Sequence, residues 1–198
     1  MVVKDRKRQI LELTEEYVER EGFDSFSYHQ LSHRLGISTA SLHYHFPKKE
    51  DLGVALCAFL RGRLSALFTD ISNSGGSAWE KLESFMDKGK SMAKGQQAIC
   101  PISSLQVEVN VLSVKMRQAH LALEQFELEF LTNILREGRE KGEMNFQGEP
   151  QEQAAMVAST YKGAIQYARV HGEKYFQAAV QQLKSSMRSK IGRPDEGL

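Results

Sequence analysis

Between Phe26 and Pro47 the chain carries two helical patterns too short to stand alone, joined by one glycine, and no other feature restricts its fold as tightly. Ser27 followed by Gln30 is the S-x-x-Q capping pattern, and it opens a helix that reaches Leu35 with Leu31 turned inward. Gly36 stops that helix, Ile37 follows as an apolar anchor, and Ser38 is suited to cap a third helix over 39–46 before Pro47 breaks it. Isolated helices shorter than about 12 residues are marginal in water, so both must be held by tertiary packing. Helix, glycine turn and short helix together are the sequence form of a helix-turn-helix. A helix enters the major groove only when a partner helix and a rigid turn hold it proud of the body. Leu31, Leu35, Ile37, Leu42 and Phe46 are therefore expected to pack, leaving Thr39, Ala40, Ser41, His43 and Tyr44 facing outward. Small and polar groups near a helix start, beside amides that favour phosphate, suit base-edge and backbone contacts.

The rest of the chain repeats the helical period. Ile10, Leu13, Tyr17 and Val18 share one face of a first helix over 4–21, which Gly22 ends. A fourth helix is expected over 49–71, a fifth over 78–94, a short helix or turn over 104–112, and long helices over 114–141, 150–170 and 174–191. Pro150 suits the first turn of its helix, 95–103 is less regular, and 192–198 is expected to be a disordered tail. With four prolines in 198 residues and no alternating apolar pattern, the chain is expected to be all-α.

Charge and cysteine usage exclude more than they suggest. A formal net charge of +1 supplies no global field, so contact with a polyanion must rest on local clusters. The chain begins with a charged run and nowhere carries eighteen consecutive apolar residues, which points to the cytoplasm and away from a membrane. Cys57 and Cys100 form no CxxC and no disulfide framework, so reduced thiols are expected. His29 and His33 lie one helical turn apart with no third ligand evident; neither a metal nor a cofactor is expected. There is no Glu-x-x-His pair on facing helices, no G-x-S-x-G and no catalytic Cys-His signature, so the chain is not expected to be an enzyme.

The segment Gly36-Ile37-Ser38-Thr39-Ala40-Ser41-Leu42-His43-Tyr44-His45-Phe46-Pro47-Lys48-Lys49-Glu50-Asp51-Leu52 resembles the signature of the TetR family of regulators. The likeness spans about residues 6–60, including Arg8-Gln9-Ile10-Leu11 and Glu21-Gly22-Phe23, while the later two-thirds agree in length and helix plan. The family's usual tyrosine after the leucine of the reading helix is His43 here, with Tyr44 next. By the resemblance His43 stands where that tyrosine meets DNA, Tyr28, Thr39 and Ala40 are DNA neighbours, and Lys49 takes the place of a phosphate-contacting lysine. His45 either packs or touches DNA, and the basic groups of residues 4–8 either contact backbone or are merely solvated.

The resemblance also implies a division into a DNA-binding domain over 1–50, a linker helix over about 49–71, and a helical ligand-binding and dimerisation domain over 51–191. It implies a repressor that binds a palindromic operator as a homodimer and is released by a small-molecule effector. Ala154, Ala155, Ala158, Gly163, Ala164 and Ala168 form a small, flat helix face, expected at the dimer contact unless it is intramolecular core. An effector pocket is expected among Phe85, Met92, Phe126, Phe130, Met156 and Tyr161, with Cys100, Gln106, Asn110 and His120 as its polar or reactive groups. Two alternatives stay open: a DNA-binding structural protein of the same fold without a ligand, and a thiol or electrophile sensor acting through Cys100.

Overall fold

The computed structural model describes residues 5–95 and 99–188, apart from the side chains of Ser91, Met92 and Lys94. Among the described residues there are nine α-helices and no strand: α1 (Arg6–Arg20), α2 (Tyr28–Leu35), α3 (Thr39–His45), α4 (Lys49–Asn73), α5 (Ala78–Gly95), α6 (Pro101–Val107), α7 (Val114–Glu140), α8 (Pro150–His171) and α9 (Glu173–Ser186). The expected tail over 192–198 lies outside the described residues, and so does Lys4.

Local chemistry sets most helix ends. The Ser27 hydroxyl accepts from the Gln30 amide while the Gln30 side chain accepts from the Ser27 amide, closing the capping box that starts α2. Gly36 closes it in the left-handed region at φ +63°, which a side chain would strain. Ser38 caps α3 by accepting from the Ser41 amide, and Phe46 ends it in an extended conformation just before Pro47. Pro101 and Pro150 each occupy the first helical turn, where the missing N–H costs nothing. The irregular stretch expected through residue 103 is shorter than that, because Pro101 already begins α6.

Contacts divide the chain into two compact units. One gathers α1 to α3, α4 through Ala66, α6, and α7 through Phe126; the other gathers α4 from Leu67, α5, α7 from Glu127, α8 and α9. Beside the helices of the DNA-binding domain expected over 1–50, α6 and the first half of α7 share the core of the first unit. Ile102, Leu105, Leu112, Met116 and Leu123 are buried in the same cluster as Ile10, Phe23, Leu31, Leu42, Leu52 and Leu56. Apolar surface on α1 and α4 that the three-helix head cannot cover alone is removed from water by this returning segment.

The core of the second unit lies among α5, α7, α8 and α9. Phe68 and Phe130 stack with centroids 3.8 Å apart, Phe85 lies 6.2 and 6.3 Å from them, and Tyr161 continues the cluster 5.0 Å from Phe85. Ala154, Ala158, Ala164 and Ala168 are buried at 0%, 6%, 4% and 0% exposure, so most of the alanine-rich face of α8 belongs to this unit's own core. The face expected at a dimer contact is therefore mostly occupied within the chain, because small side chains let helices of one unit approach closely.

Helix α1 carries a crowded acidic side within the first unit. Glu15 is buried and paired with Arg63, and burial raises its carboxyl above the usual range against the pull of that guanidinium. Glu19 is pushed up to about 6, by burial first and then by the charge of Glu15, with Arg63 opposing and Glu16 adding to the rise. A raised carboxyl contributes stability that is complete below its unfolded value near 4.5 and is lost as pH rises through about 6. Glu19→Gln should therefore be more stable than the parent at pH 7, by no more than about 1 kcal/mol for a part-exposed group. The difference should vanish near pH 4.5, as thermal melts across that range would record.

Candidate nucleic-acid interface

Helix α3 is held from beneath by Leu42, which is fully buried, and by Phe46 at its end, which is 2% exposed. Ala40, His43 and Tyr44 stand at i, i+3 and i+4 and are exposed, with Tyr44 reaching 85%. These three form one outward face of a helix carried by a packed partner. Ser41 is half-buried.

The remaining expected DNA neighbours are placed differently. The Thr39 hydroxyl lies 3.1 Å from that of buried Ser32, so Thr39 joins α3 to α2 rather than facing fully outward. Tyr28 donates from its hydroxyl to the Phe46 carbonyl at 2.9 Å, and its ring lies 4.8 Å from that of His43. Burial, with the charge of Asp51 second, pushes its hydroxyl up to about 12, so it stays a neutral donor and a support for the reading helix. His43 Nδ1 lies 3.1 Å from the Pro47 carbonyl, a contact that requires the proton on Nδ1 and leaves Nε2 as the ring's remaining polar atom.

Lys49 is turned inward. Its ammonium donates to the carbonyls of Phe26 at 2.6 Å and Asp24 at 3.2 Å, and it lies over the rings of Phe26 and Phe23 at 4.5 and 5.3 Å. Burial lowers its pKa, while the Asp24 and Glu108 carboxylates oppose the shift. In this structure Lys49, expected at phosphate, pins the α1–α2 loop; the sequence marked a lysine there but carried no sign of which way its side chain would turn. Lys48, which the sequence reading passed over, is exposed at the start of α4 and outside the ion pairs that hold Arg8, Arg34 and Lys49. Arg6 and Lys7 are exposed at the start of α1, with the Lys7 ammonium 5.5 Å from the Phe46 ring. His29 is exposed, and His45 is half-buried with its ring edge-on to Tyr44 at 5.4 Å.

The side chains expected around an effector are divided between the two units. Phe85, Phe130 and Tyr161 converge in the second unit. Cys100, Gln106, His120 and Phe126 belong to the first. There Cys100 is the half-buried N-cap residue of α6, and buried His120 meets the Ile102 carbonyl through Nε2 at 3.0 Å. Gln106 and Asn110 are exposed, the Gln106 amide donates to Glu124, and Phe126 lies under the Arg61 guanidinium at 5.0 Å. Met156 is 49% exposed, so it does not line the interior of its unit. The Met92 side chain lies outside the described residues. A feature not anticipated is an open groove of about 280 Å³ between α5 and α9, floored by Met86, Phe176 and Val180 and edged by Asp87, Lys90 and the Lys184–Glu83 pair.

Residues 10–56 match the family of bacterial regulatory proteins of the tetR type, and residues 78–183 match the tetracyclin repressor-like C-terminal domain. A TetR transcriptional regulator from Legionella pneumophila superposes with a TM-score of 0.86 at 26% identity, covering 95% of this chain and 100% of that one. A TetR-family regulator from Agrobacterium tumefaciens gives 0.86 at 26% identity over 92% of this chain and 97% of its own. The fold is shared with reduced NemR of E. coli at a TM-score of 0.83 and 22% identity, covering 95% of this chain and 100% of that one. Among functionally curated proteins, none matches the chain.

Proposed function

Because the chain belongs to the TetR family of DNA-binding transcriptional regulators, we propose that it is a cytoplasmic repressor that holds a palindromic operator as a homodimer and is released by a small-molecule inducer. The observation that carries the reading is the exposed trio Ala40, His43 and Tyr44 on a helix whose opposite side is locked by Leu42. In this reading Tyr44, His43 and Ala40 meet base edges, with Ser41 beside them, and Lys48, Arg6 and Lys7 meet phosphate. Thr39, Tyr28 and Lys49 hold the reading helix and its loop in place.

The dimer is supported by a second stripe. Met156, Gly163, Tyr167 and Val170 recur at i, i+7, i+11 and i+14 on α8, and Met156, Tyr167 and Val170 are 49%, 55% and 81% exposed. Large apolar side chains gathered on one exposed helix face are characteristic of an interaction surface. An isologous contact there would give two reading heads the symmetry of an inverted repeat. For the inducer, the aromatic cluster of Phe85, Phe130 and Tyr161 and the groove between α5 and α9 are the apolar surfaces of the second unit that suit an organic molecule. A hundredfold preference of inducer for the DNA-incompetent state would supply about 2.7 kcal/mol of coupling per site, and DNA would weaken inducer by the same factor.

Selection of the protein against randomised duplex should return an inverted repeat, bound with affinity that falls steeply as salt rises. Lys48→Ala should weaken all duplexes alike and lower the salt slope by about one, whereas Tyr44→Ala should change base preference by about 1–3 kcal/mol at one position of each half-site. A selection that returns no preferred duplex overturns the reading.

A further inference from the structure

The C-terminal end of α6 meets the loop between α1 and α2. Glu108, the residue that caps α6, accepts hydrogen bonds from the backbone amides of Phe23 at 2.8 Å and Asp24 at 3.3 Å, in the loop between α1 and α2. Gly22, just before them, has φ +97°, a conformation that favours glycine, and the Glu108 carboxylate lies close against it. The same loop is gripped from the other side, where the Lys49 ammonium donates to the Asp24 and Phe26 carbonyls. Glu108 takes the loop's N–H groups and Lys49 takes its C=O groups.

The turn that follows α6 adds further holds. Leu112 and Met116 are buried in the head's core at 6% and 1% exposure, and the Glu50 carboxylate at the start of α4 lies 3.7 Å from the Lys115 ammonium. The Ser113 hydroxyl, with Lys115 assisting, holds the Glu50 carboxyl below its usual range. Residues 108–116 are thus built into the head, although they fall within the stretch that matches the C-terminal domain.

We propose that Glu108 is a positioning residue for DNA recognition, which from the end of α6 fixes the α1–α2 loop and through it the reading helix. The path is short and made of observed contacts. The loop ends at Ser27, which caps α2; Tyr28, the first residue of α2, donates to the Phe46 carbonyl at the end of α3 and packs its ring on His43. Loss of the carboxylate would leave the part-buried Phe23 amide without its acceptor, and the loop would lose one of its two grips. Hydrogen bonds to a carboxylate are stronger than neutral ones, so this contact holds the loop more firmly than a neutral acceptor would. The proposal rests on the DNA-regulator reading.

The test uses the full-length protein, the operator it selects, and versions of that operator with the centre lengthened or shortened by one base pair. Glu108→Ala should lower affinity for the selected operator by about tenfold or more, as expected when two bonds to a charged acceptor are lost. It should also shrink the penalty for wrong spacing and speed hydrogen exchange at the Phe23 and Asp24 amides, with the thermal midpoint near the parent's. Glu108→Gln, whose side-chain carbonyl can still accept, should recover most of the affinity and spacing penalty, and it stands in should the alanine variant fail to fold. Unchanged amide exchange, or a loss of affinity equal at every spacing and accompanied by a lower melting temperature, overturns the proposal. If the parent protein selects no operator, the regulator reading fails, while the exchange of the two amides still decides whether the carboxylate holds the loop.

Discussion

Val170→Asp should convert the protein to a monomer and weaken operator binding by about a thousandfold or more, the loss expected when two half-sites are no longer read together. Val170 is 81% exposed on the stripe of α8 that also carries Met156, Gly163 and Tyr167. Beside it, Tyr167, His171 and Tyr175 stack on one another with centroids 5.2 to 5.8 Å apart, and Tyr175 is 43% exposed. A carboxylate at so exposed a position should shift the stability of the single chain by no more than about 0.5 kcal/mol. Across a two-fold axis it would meet apolar surface and its own symmetry mate, a desolvated like-charge arrangement that association cannot tolerate. Sedimentation equilibrium gives the mass, and duplex binding gives the affinity. A variant that remains dimeric with parental operator affinity would remove α8 from the interface.

The largest effect on folding is expected at Lys162. Its ammonium lies 2.6 Å from Glu127 Oε2 in the second unit, and the two side chains are 12% and 5% exposed. A desolvated pair of this kind is weak evidence of net stabilisation, yet removing one partner strands the other charge in a medium that solvates it poorly. Lys162→Met should therefore cost about 3–5 kcal/mol, a large part of the roughly 5–15 kcal/mol that holds a domain together. The melting temperature should fall by roughly 10 °C. The double variant Lys162→Met with Glu127→Leu should regain most of that loss, because no charge is then left buried. A double variant no more stable than the single one would show that lost packing, not the stranded carboxylate, causes the effect.

What the sequence determined by itself was local. The 3.6-residue period of apolar positions, the Ser27–Gln30 capping pair, Gly36 in its left-handed turn, Ser38 as cap and Pro150 in a first helical turn each act within a few residues, so α2, α3 and α8 begin where the chain indicates. The outward trio Ala40, His43 and Tyr44 was legible for the same reason, since burial of Leu42 fixes the opposite side of a short helix. Tertiary structure decided what each polar side chain does there. Thr39 turns to Ser32 and Lys49 to the carbonyls of Asp24 and Phe26, because the buried Ser32 hydroxyl and the part-buried Phe26 carbonyl need partners and these side chains are near. On α8 four of the five alanines went to the chain's own core and left Met156, Tyr167 and Val170 outside, a choice between two faces that composition cannot make. Glu108 had no signal at all: a lone carboxylate acquires meaning only when folding brings it to two loop amides 84 and 85 positions away in the chain.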